Sequence, residues 1–279
     1  MDNFLIFQSD FGLDDAAVSA MYGVALTVDP SLRIFNATHG IEPYNVWEAS
    51  YRLFQNVEYW PEGSVFVSVC DPGVGSHRKS VVARTKMGHY IVTPDNGTLT
   101  HISKFVGIEE GREIEETTNR RENTQYSYTF HGRDVYAYTG ARLAAKVITF
   151  EEVGPLLDKD MIIELPMASV EKGPNYIKGS IDILDIRFGS IWTNILREDF
   201  VALGFDFGDK VKVEIYHENV LAYKKEVVYG RSFADVQISD PVLYVNSLYR
   251  LALALNRGNF AKGYNIGTGN SWTIKLIKE

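Results

Sequence analysis

Three side chains in this sequence have the types and the setting to activate a water molecule: Asp71, Arg78 and His131. Asp71 and Arg78 belong to Cys70-Asp71-Pro72-Gly73-Val74-Gly75-Ser76-His77-Arg78, which follows the apolar run at residues 64–69. His131 lies in Phe130-His131-Gly132-Arg133-Asp134. A carboxylate, a cation and an imidazole on loops at strand ends can orient a water and take its proton. A cation near His131 would lower its pKa and keep the ring neutral, as a base requires.

Further groups have the chemistry to hold a polar ligand. Asp10 and Asp15 sit in Ser9-Asp10-Phe11-Gly12-Leu13-Asp14-Asp15, where a first strand gives way to a helix. Ligands bind at such carboxyl ends of strands. A carboxylate there can accept from sugar hydroxyls or pair with an ammonium, although Asp14 or Asp15 can equally cap the helix. Asp185-Ile186-Arg187-Phe188-Gly189-Ser190-Ile191-Trp192-Thr193-Asn194 sets aromatic faces beside polar groups. That suits a purine, and it also suits a sheet core. Two stretches, 243–247 with Ser247 and 255–259 with Arg257, read on their own as turns.

Other chemistries lack their signatures. There is no Walker lysine, no G-x-G-x-x-G after the first strand and no G-x-S-x-G elbow. The histidines have neither H-E-x-x-H nor H-x-x-x-H spacing, and the lone cysteine excludes C-x-x-C. Neither a metal site nor a cofactor is expected.

The elements that must carry these residues change character along the chain. Strand patterns at 4–7, 32–36, 64–69, 80–84 and 89–93 alternate with helical ones in the first half. Asp14 and Asp15 are expected to open a helix with Val18, Met21, Val24 and Ala25 on its apolar face. Asn45 can cap a helix over 46–55, and 134–147 reads as another. The alternation predicts an α/β domain with a mainly parallel sheet over 1–165. The polar run 117–129 has no clear period and precedes His131, which suits a loop over the site. Residues 166–175, with Pro166, Gly173 and Pro174, read as a linker. From 176 to 279 short β-rich runs recur at 177–186, 210–216, 224–229, 242–245 and 272–277, predicting an all-β, barrel-like domain.

Bulk properties narrow the partners. A net charge of -8 argues against nucleic acid, and no stretch is long and apolar enough to span a membrane. Residues 1–7 lack a basic region and a long apolar run, so they read as a strand rather than a signal peptide. The lone Cys70 has no internal disulfide partner, reads as a small buried hydrophobe and fits a cytoplasmic protein.

Two resemblances add to this. Calcium-dependent nucleoside hydrolases open with Asp-x-Asp-x-Gly-x-Asp-Asp-Ala, and residues 8–16 resemble that run with Gln8 at its first Asp. A hard cation loses one carboxylate by that change. The second resemblance runs nearly the whole length. Asp10-Phe11-Gly12, Thr38-His39, residues 71–75, Pro94-Asp95-Asn96-Gly97, residues 130–134, residues 188–195 and Asn246-Ser247 together resemble the S-adenosyl-L-methionine (SAM) hydroxide adenosyltransferase family, relatives of fluorinases and chlorinases.

That resemblance implies an N-terminal α/β domain and a C-terminal barrel-like domain. It also implies a homotrimer with SAM between subunits and hydrolysis to adenosine and L-methionine. By it, Asp71, Arg78 and His131 activate the water and Asp10 holds the ribose, while Asp15, Asp185 and Ser247 hold the methionine end. Phe188, Ser190, Phe233 and the backbone near Arg257 lie about the adenine. Tyr44 and Trp192 line the ribose and sulfonium region. Fluorinases carry Tyr-Ser at the positions of His131-Gly132 and Tyr at that of Asp71, so the resemblance favours water over halide. Ser190 stands where the family usually has Asn, and Ala17 where Ser or Tyr is commoner.

Overall fold

The computed structural model describes residues 4–278, so Met1, Asp2 and Asn3 of the expected first strand lie outside the described residues. The chain divides into two compact units, Met1–Leu165 and Pro166–Glu279.

The first unit is built on β1 (Phe4–Ser9), β2 (Arg33–Thr38), β3 (Val65–Val69), β4 (Ser80–Thr85), β5 (Tyr90–Pro94), β6 (Ile108–Glu113) and β7 (Leu156–Leu157). Its helices are α1 (Ala17–Val28), α2 (Val46–Val57), α3 (Thr100–Phe105) and α4 (Tyr138–Ala144), the last preceded by a π-helical turn, Gly132–Ala137. The strands form one sheet in the order β2-β1-β3-β5-β4-β6-β7. β2, β1, β3 and β5 run parallel, and β4, β6 and β7 extend the sheet antiparallel.

The inner parallel strands β1, β3 and β5 are largely apolar on both faces, as burial from both sides requires, while the edge strand β2 is exposed or half-buried. Successive side chains alternate. Leu5, Phe7, Val65 and Val67 therefore face Met21, Ala25 and Val135. Ile6 and Phe66 face Leu53, Val57 and Ile102 on the other side. α1 buries Val18, Met21, Val24 and Ala25, the face its periodicity marks. It opens only at Ala17, and its first turn holds no acidic residue. Asp15 lies just ahead and accepts from the Ala17 N–H at 2.8 Å. Asn45 caps α2, its Oδ1 accepting from the Glu48 N–H at 3.0 Å.

The expected helix at 134–147 starts earlier and ends sooner. Gly132 begins it because the backbone must pass close to Phe11 and Val69, each within 3.2 Å of where a Cβ would stand. Gly140 lets α4 lie on β3, since an added Cβ would fall 2.4 Å from Val67 Cγ2.

The second unit contains β8 (Glu171–Lys172), β9 (Tyr176–Leu184), β10 (Ile191–Leu196), β11 (Lys210–His217), β12 (Val220–Tyr229), β13 (Pro241–Val245), β14 (Arg250–Leu255) and β15 (Gly269–Ile277). Short helices α5 (Arg197–Val201) and α6 (Phe260–Tyr264) interrupt them. The strand order is β10-β14-β13-β12-β11-β15-β9-β8, and pairing of β9 with β10 closes a barrel with β8 appended. The pairs are antiparallel except β12 with β13. Alternate residues such as Ile177, Ile181, Val211, Val213, Ile215 and Ile274 fill the interior. Closure leaves no free edge in the ring of strands.

Candidate active site

In the first unit the chain leaves β1 for β2 on one side and reaches β3 on the other, so the connection reverses between β1 and β3. Such a switch point opens a crevice at the carboxyl ends of the strands. Ser9 and Val69, the last residues of β1 and β3, are register partners. Asp10 and Asp71 therefore leave the sheet close together, and Asp10 N–H still donates to Val69 O at 3.3 Å. A cavity of about 400 Å³ lies there, lined among others by Asp10, Phe11, Tyr44, Asp71, Phe130 and His131.

Each polar side chain around this cavity is positioned by its neighbours. Asp10 Oδ2 accepts from the Tyr44 N–H at 2.9 Å and faces Cys70 Sγ at 3.6 Å. Tyr44 holds φ 68° to present that N–H. Burial, with the Asp10 charge beside it, raises the Cys70 thiol pKa, so it stays protonated and can donate.

Arg78 Nε donates to both oxygens of Asp71, at 2.9 and 3.0 Å. Arg78 Nη1 donates to Ser80 Oγ at 3.1 Å, and its Nη2 lies 2.9 Å from His131 Nδ1. The Asp71 and Arg78 side chains are 5% and 9% exposed, so this pair is screened little by water. Gly75 lets the Asp71–Arg78 turn approach the segment before His131. It sits at φ 77°, and a Cβ there would lie 2.9 Å from Tyr128 O. His131 immediately precedes the π-turn, a distortion common at functional sites.

Two residues that the sequence did not mark complete the cluster. Arg120 Nη2 lies 2.8 Å from His131 Nε2 and donates to Glu116 Oε2 at 2.8 Å. Glu116 Oε1 accepts from Ser80 Oγ at 3.0 Å, closing a ring through Ser80, Arg78, His131 and Arg120. Burial holds the His131 imidazole below its ordinary 6.5, and the charges of Arg78 and Arg120 act with it against Glu116 and Asp71. Burial alone would raise the Glu116 carboxyl, but hydrogen bonds from Arg120 and Ser80 hold it below the usual value. Only the polar character of 117–129 hinted at this, since a Glu and an Arg four residues apart occur on any exposed segment.

The second unit carries a larger cavity of about 960 Å³. Asp185, Phe188, Ser190, Trp192, Phe233, Ser247 and Arg257 all line it. The loop between β9 and β10 is tied by Asp185 N–H to Ser190 O at 2.8 Å and by Gly189 N–H to Asp185 O at 2.7 Å. Gly189 has φ 70°, and a Cβ on it would meet the Asn259 side chain at 2.0 Å. Phe188 is thereby left 68% exposed at the cavity, an open aromatic face. Tyr244, Asn246 and Asn256 also line it. Tyr244 packs 5.0 Å from the Phe233 ring, and burial raises its pKa against hydrogen bonding with Ser190 and Trp192.

Asp15 lines neither cavity; it is exposed and bound to its own helix start. Gln8 is buried, and its amide donates to Ala49 O and Ser68 Oγ, both at 2.8 Å. Among the described residues no cluster of three or more His, Cys, Asp or Glu is placed to hold a metal ion.

Comparison with known proteins agrees with these features. Residues 5–154 match the SAM hydroxide adenosyltransferase N-terminal domain, and residues 179–273 match the C-terminal domain of the same family. A fluorinase from Actinoplanes sp. (strain N902-109) is 31% identical, over 97% of this chain and 96% of its own. An (R)-S-adenosyl-L-methionine hydrolase from Methanocaldococcus jannaschii is 34% identical over 78% of this chain and 75% of its own. One from Thermus thermophilus is 31% identical over 94% and 96%. Among solved structures, an uncharacterized conserved protein from Thermotoga maritima superposes with a TM-score of 0.90 at 31% identity, covering 99% of this chain and 100% of that one. With both domain types matched in order and relatives aligned along nearly its whole length, the chain belongs to the SAM hydroxide adenosyltransferase family.

Proposed function

We propose that this protein hydrolyses SAM to adenosine and L-methionine by attack of water on the ribose C5′. The observation that carries this reading is the Asp71–Arg78–His131 cluster on the wall of a cavity it shares with Asp10. In the reaction the water oxygen bonds to C5′ as the C5′–sulfur bond breaks. The electron pair goes to sulfur, giving neutral methionine, and the water's proton goes to His131. The sulfonium is already a good leaving group, so no acid is needed to expel it. The protein's task is alignment of water, C5′ and sulfur, together with removal of competing solvent. No cofactor and no metal enters this scheme.

Relatives bearing the names fluorinase and SAM hydrolase are both similar to this chain. Water is favoured over halide because the carboxylate, guanidinium and imidazole that suit proton removal all stand together here. A halide needs no base. Asp10 is the candidate for the ribose hydroxyls, with Tyr44 beside it. Phe188, Ser190, Phe233 and the backbone near Arg257 are candidates for the adenine, Trp192 with Tyr44 for the ribose and sulfonium region, and Asp185 and Ser247 for the methionine end. Asp15, the third candidate for the methionine end, is exposed and accepts from the Ala17 N–H through Oδ1. The same reading includes a homotrimer with SAM bound between subunits, acting in the cytoplasm.

The test is incubation of purified protein with SAM and EDTA in oxygen-18 water, followed by chromatography with mass detection. Labelled adenosine plus methionine is the expected result. A 5′-halo-5′-deoxyadenosine formed on adding chloride or fluoride would move the assignment to the halide branch. Intact SAM, with a calcium-dependent release of free base from nucleosides, would overturn it.

A further inference from the structure

The ring of side chains around His131 contains a conflict that proton removal must resolve. A neutral imidazole has one N–H and one lone pair. Here both ring nitrogens face guanidinium groups, Arg78 at 2.9 Å from Nδ1 and Arg120 at 2.8 Å from Nε2. One contact is a hydrogen bond at any moment, and the other sets N–H against N–H. An imidazolium would offer neither arginine an acceptor.

The two arginines are held differently. Arg78 is clamped by both oxygens of Asp71 and bound to Ser80. Arg120 is tied to a single oxygen of Glu116, reaches Ser127 O only at 3.4 Å and lies 5.4 Å over the Tyr128 ring. It belongs to the stretch between β6 and His131, which has no regular element. Arg120 is thus the partner that can release the ring.

We infer that Arg120, held by Glu116, is a positioning residue for the water-activating set: it keeps His131 neutral in the free site and yields Nε2 to the nucleophilic water when substrate binds. The second half rests on the hydrolase reading; the first does not need a substrate. The groups facing His131 are Asp71 and Arg78 from the turn after β3, and Glu116 and Arg120 from the segment after β6. The Tyr128 ring is 6.4 Å away, and Asp10 lines the same cavity. Two carboxylates balance two guanidinium groups about this ring, so removing one member tips its protonation in a direction set by the sign removed.

The variants Arg120→Gln and Glu116→Gln test this with opposite expected signs. Histidine labelled with carbon-13 at Cε1 allows each ring to be titrated by NMR, with the His131 signal assigned by its loss in His131→Gln. Arg120→Gln is expected to move the His131 midpoint above that of the parent protein, and Glu116→Gln to move it below. Arg120→Lys, which keeps the charge, is expected to stay near the parent value. Damage to local packing alone would let in water and move both midpoints upward together, toward an ordinary imidazole.

With SAM as substrate, the acid limb of kcat/KM, which follows the free site, should move in the same directions. Arg120→Gln should lower kcat by about tenfold to a hundredfold, the scale for misplacing a reacting group, with KM little changed. Unshifted midpoints, or midpoints that move the same way, would overturn the inference. If the parent protein leaves SAM intact, the hydrolase reading falls alone and the NMR titrations still decide the role of Arg120.

Discussion

At the scale of single residues, His131 is the group on which the proposed chemistry turns. It is buried, flanked by Arg78 and Arg120, and held below the ordinary imidazole value. A base of that kind stays unprotonated into mildly acidic solution, so kcat/KM, which follows the free site, should hold as pH falls and decline only below 6.5, the usual midpoint. His131→Ala should bind SAM yet turn over roughly 10²-fold more slowly, the usual loss for a general base. Single-turnover assays with a separate binding measurement decide this, and unchanged turnover would remove His131 from the mechanism. His39 acts on stability instead. It is buried, with Nδ1 2.7 Å from Ser9 Oγ and Nε2 2.9 Å from Asn36 Oδ1. Burial holds its pKa at about 4, against 6.5 for a free imidazole. The unfolded chain takes that proton first, so stability is unaffected above the free value, falls between 6.5 and about 4, and levels off below. His39→Gln should flatten urea midpoints across that window relative to the parent protein, and an equal slope in both would contradict the assignment.

At the scale of elements, the site depends on backbones that approach closely. Gly140 sits inside α4, where exchange of glycine for alanine normally stabilises a helix by about 1 kcal/mol. Here the added Cβ would stand 2.4 Å from Val67 Cγ2, so α4 would be pushed from β3. Overpacking costs about 1–3 kcal/mol, and Gly140→Ala should therefore destabilise in chemical denaturation; a gain in stability would show that α4 can shift freely. Such contacts explain what the sequence could and could not reveal. The apolar face of α1, the capped start of α2 and the strands of the parallel core were legible, because apolar spacing and the Asn45 cap are local signals. Asp10, Asp71 and His131 were legible as loop residues at strand ends, and they do line one cavity. β10 and β14 were not expected as strands, because their apolar runs are short and sit beside polar turns. The ring also needs β10 to pair with β14 and β9 with β15, long-range pairings with no local mark. Glu116 and Arg120 were hidden for the same reason, since their partner His131 is brought to them only by the fold. Asp15 carried two readings from the start, because a carboxylate ahead of a helix serves the helix as well as a ligand.

At the scale of the whole molecule, the candidate residues are divided between two separate cavities. The Asp71–Arg78–His131 cluster belongs to the first unit, and the aromatic cavity with Asp185, Phe188 and Ser190 belongs to the second. On the proposed reading, SAM, which joins a sulfonium-bearing chain to an adenosine, would take groups of both kinds. Exposed apolar side chains flank each cavity, including Tyr44 at 74% exposed in the first and Phe188 at 68% in the second. Such surface is what an oligomer interface covers. If the working site is completed by a neighbouring subunit, two inactive variants can repair each other. His131→Ala lacks the proposed base but keeps an intact second unit, and Asp185→Ala lacks a proposed substrate contact but keeps that base. Co-refolded or co-expressed, they should form mixed oligomers in which some interfaces pair an intact first unit with an intact second one. Activity should then reappear well above the sum of the separate variants, and the mixed species should run as a trimer in light scattering. A trimer without recovery would place each site within one subunit, and a monomer that turns over SAM at the full rate would remove the shared site altogether.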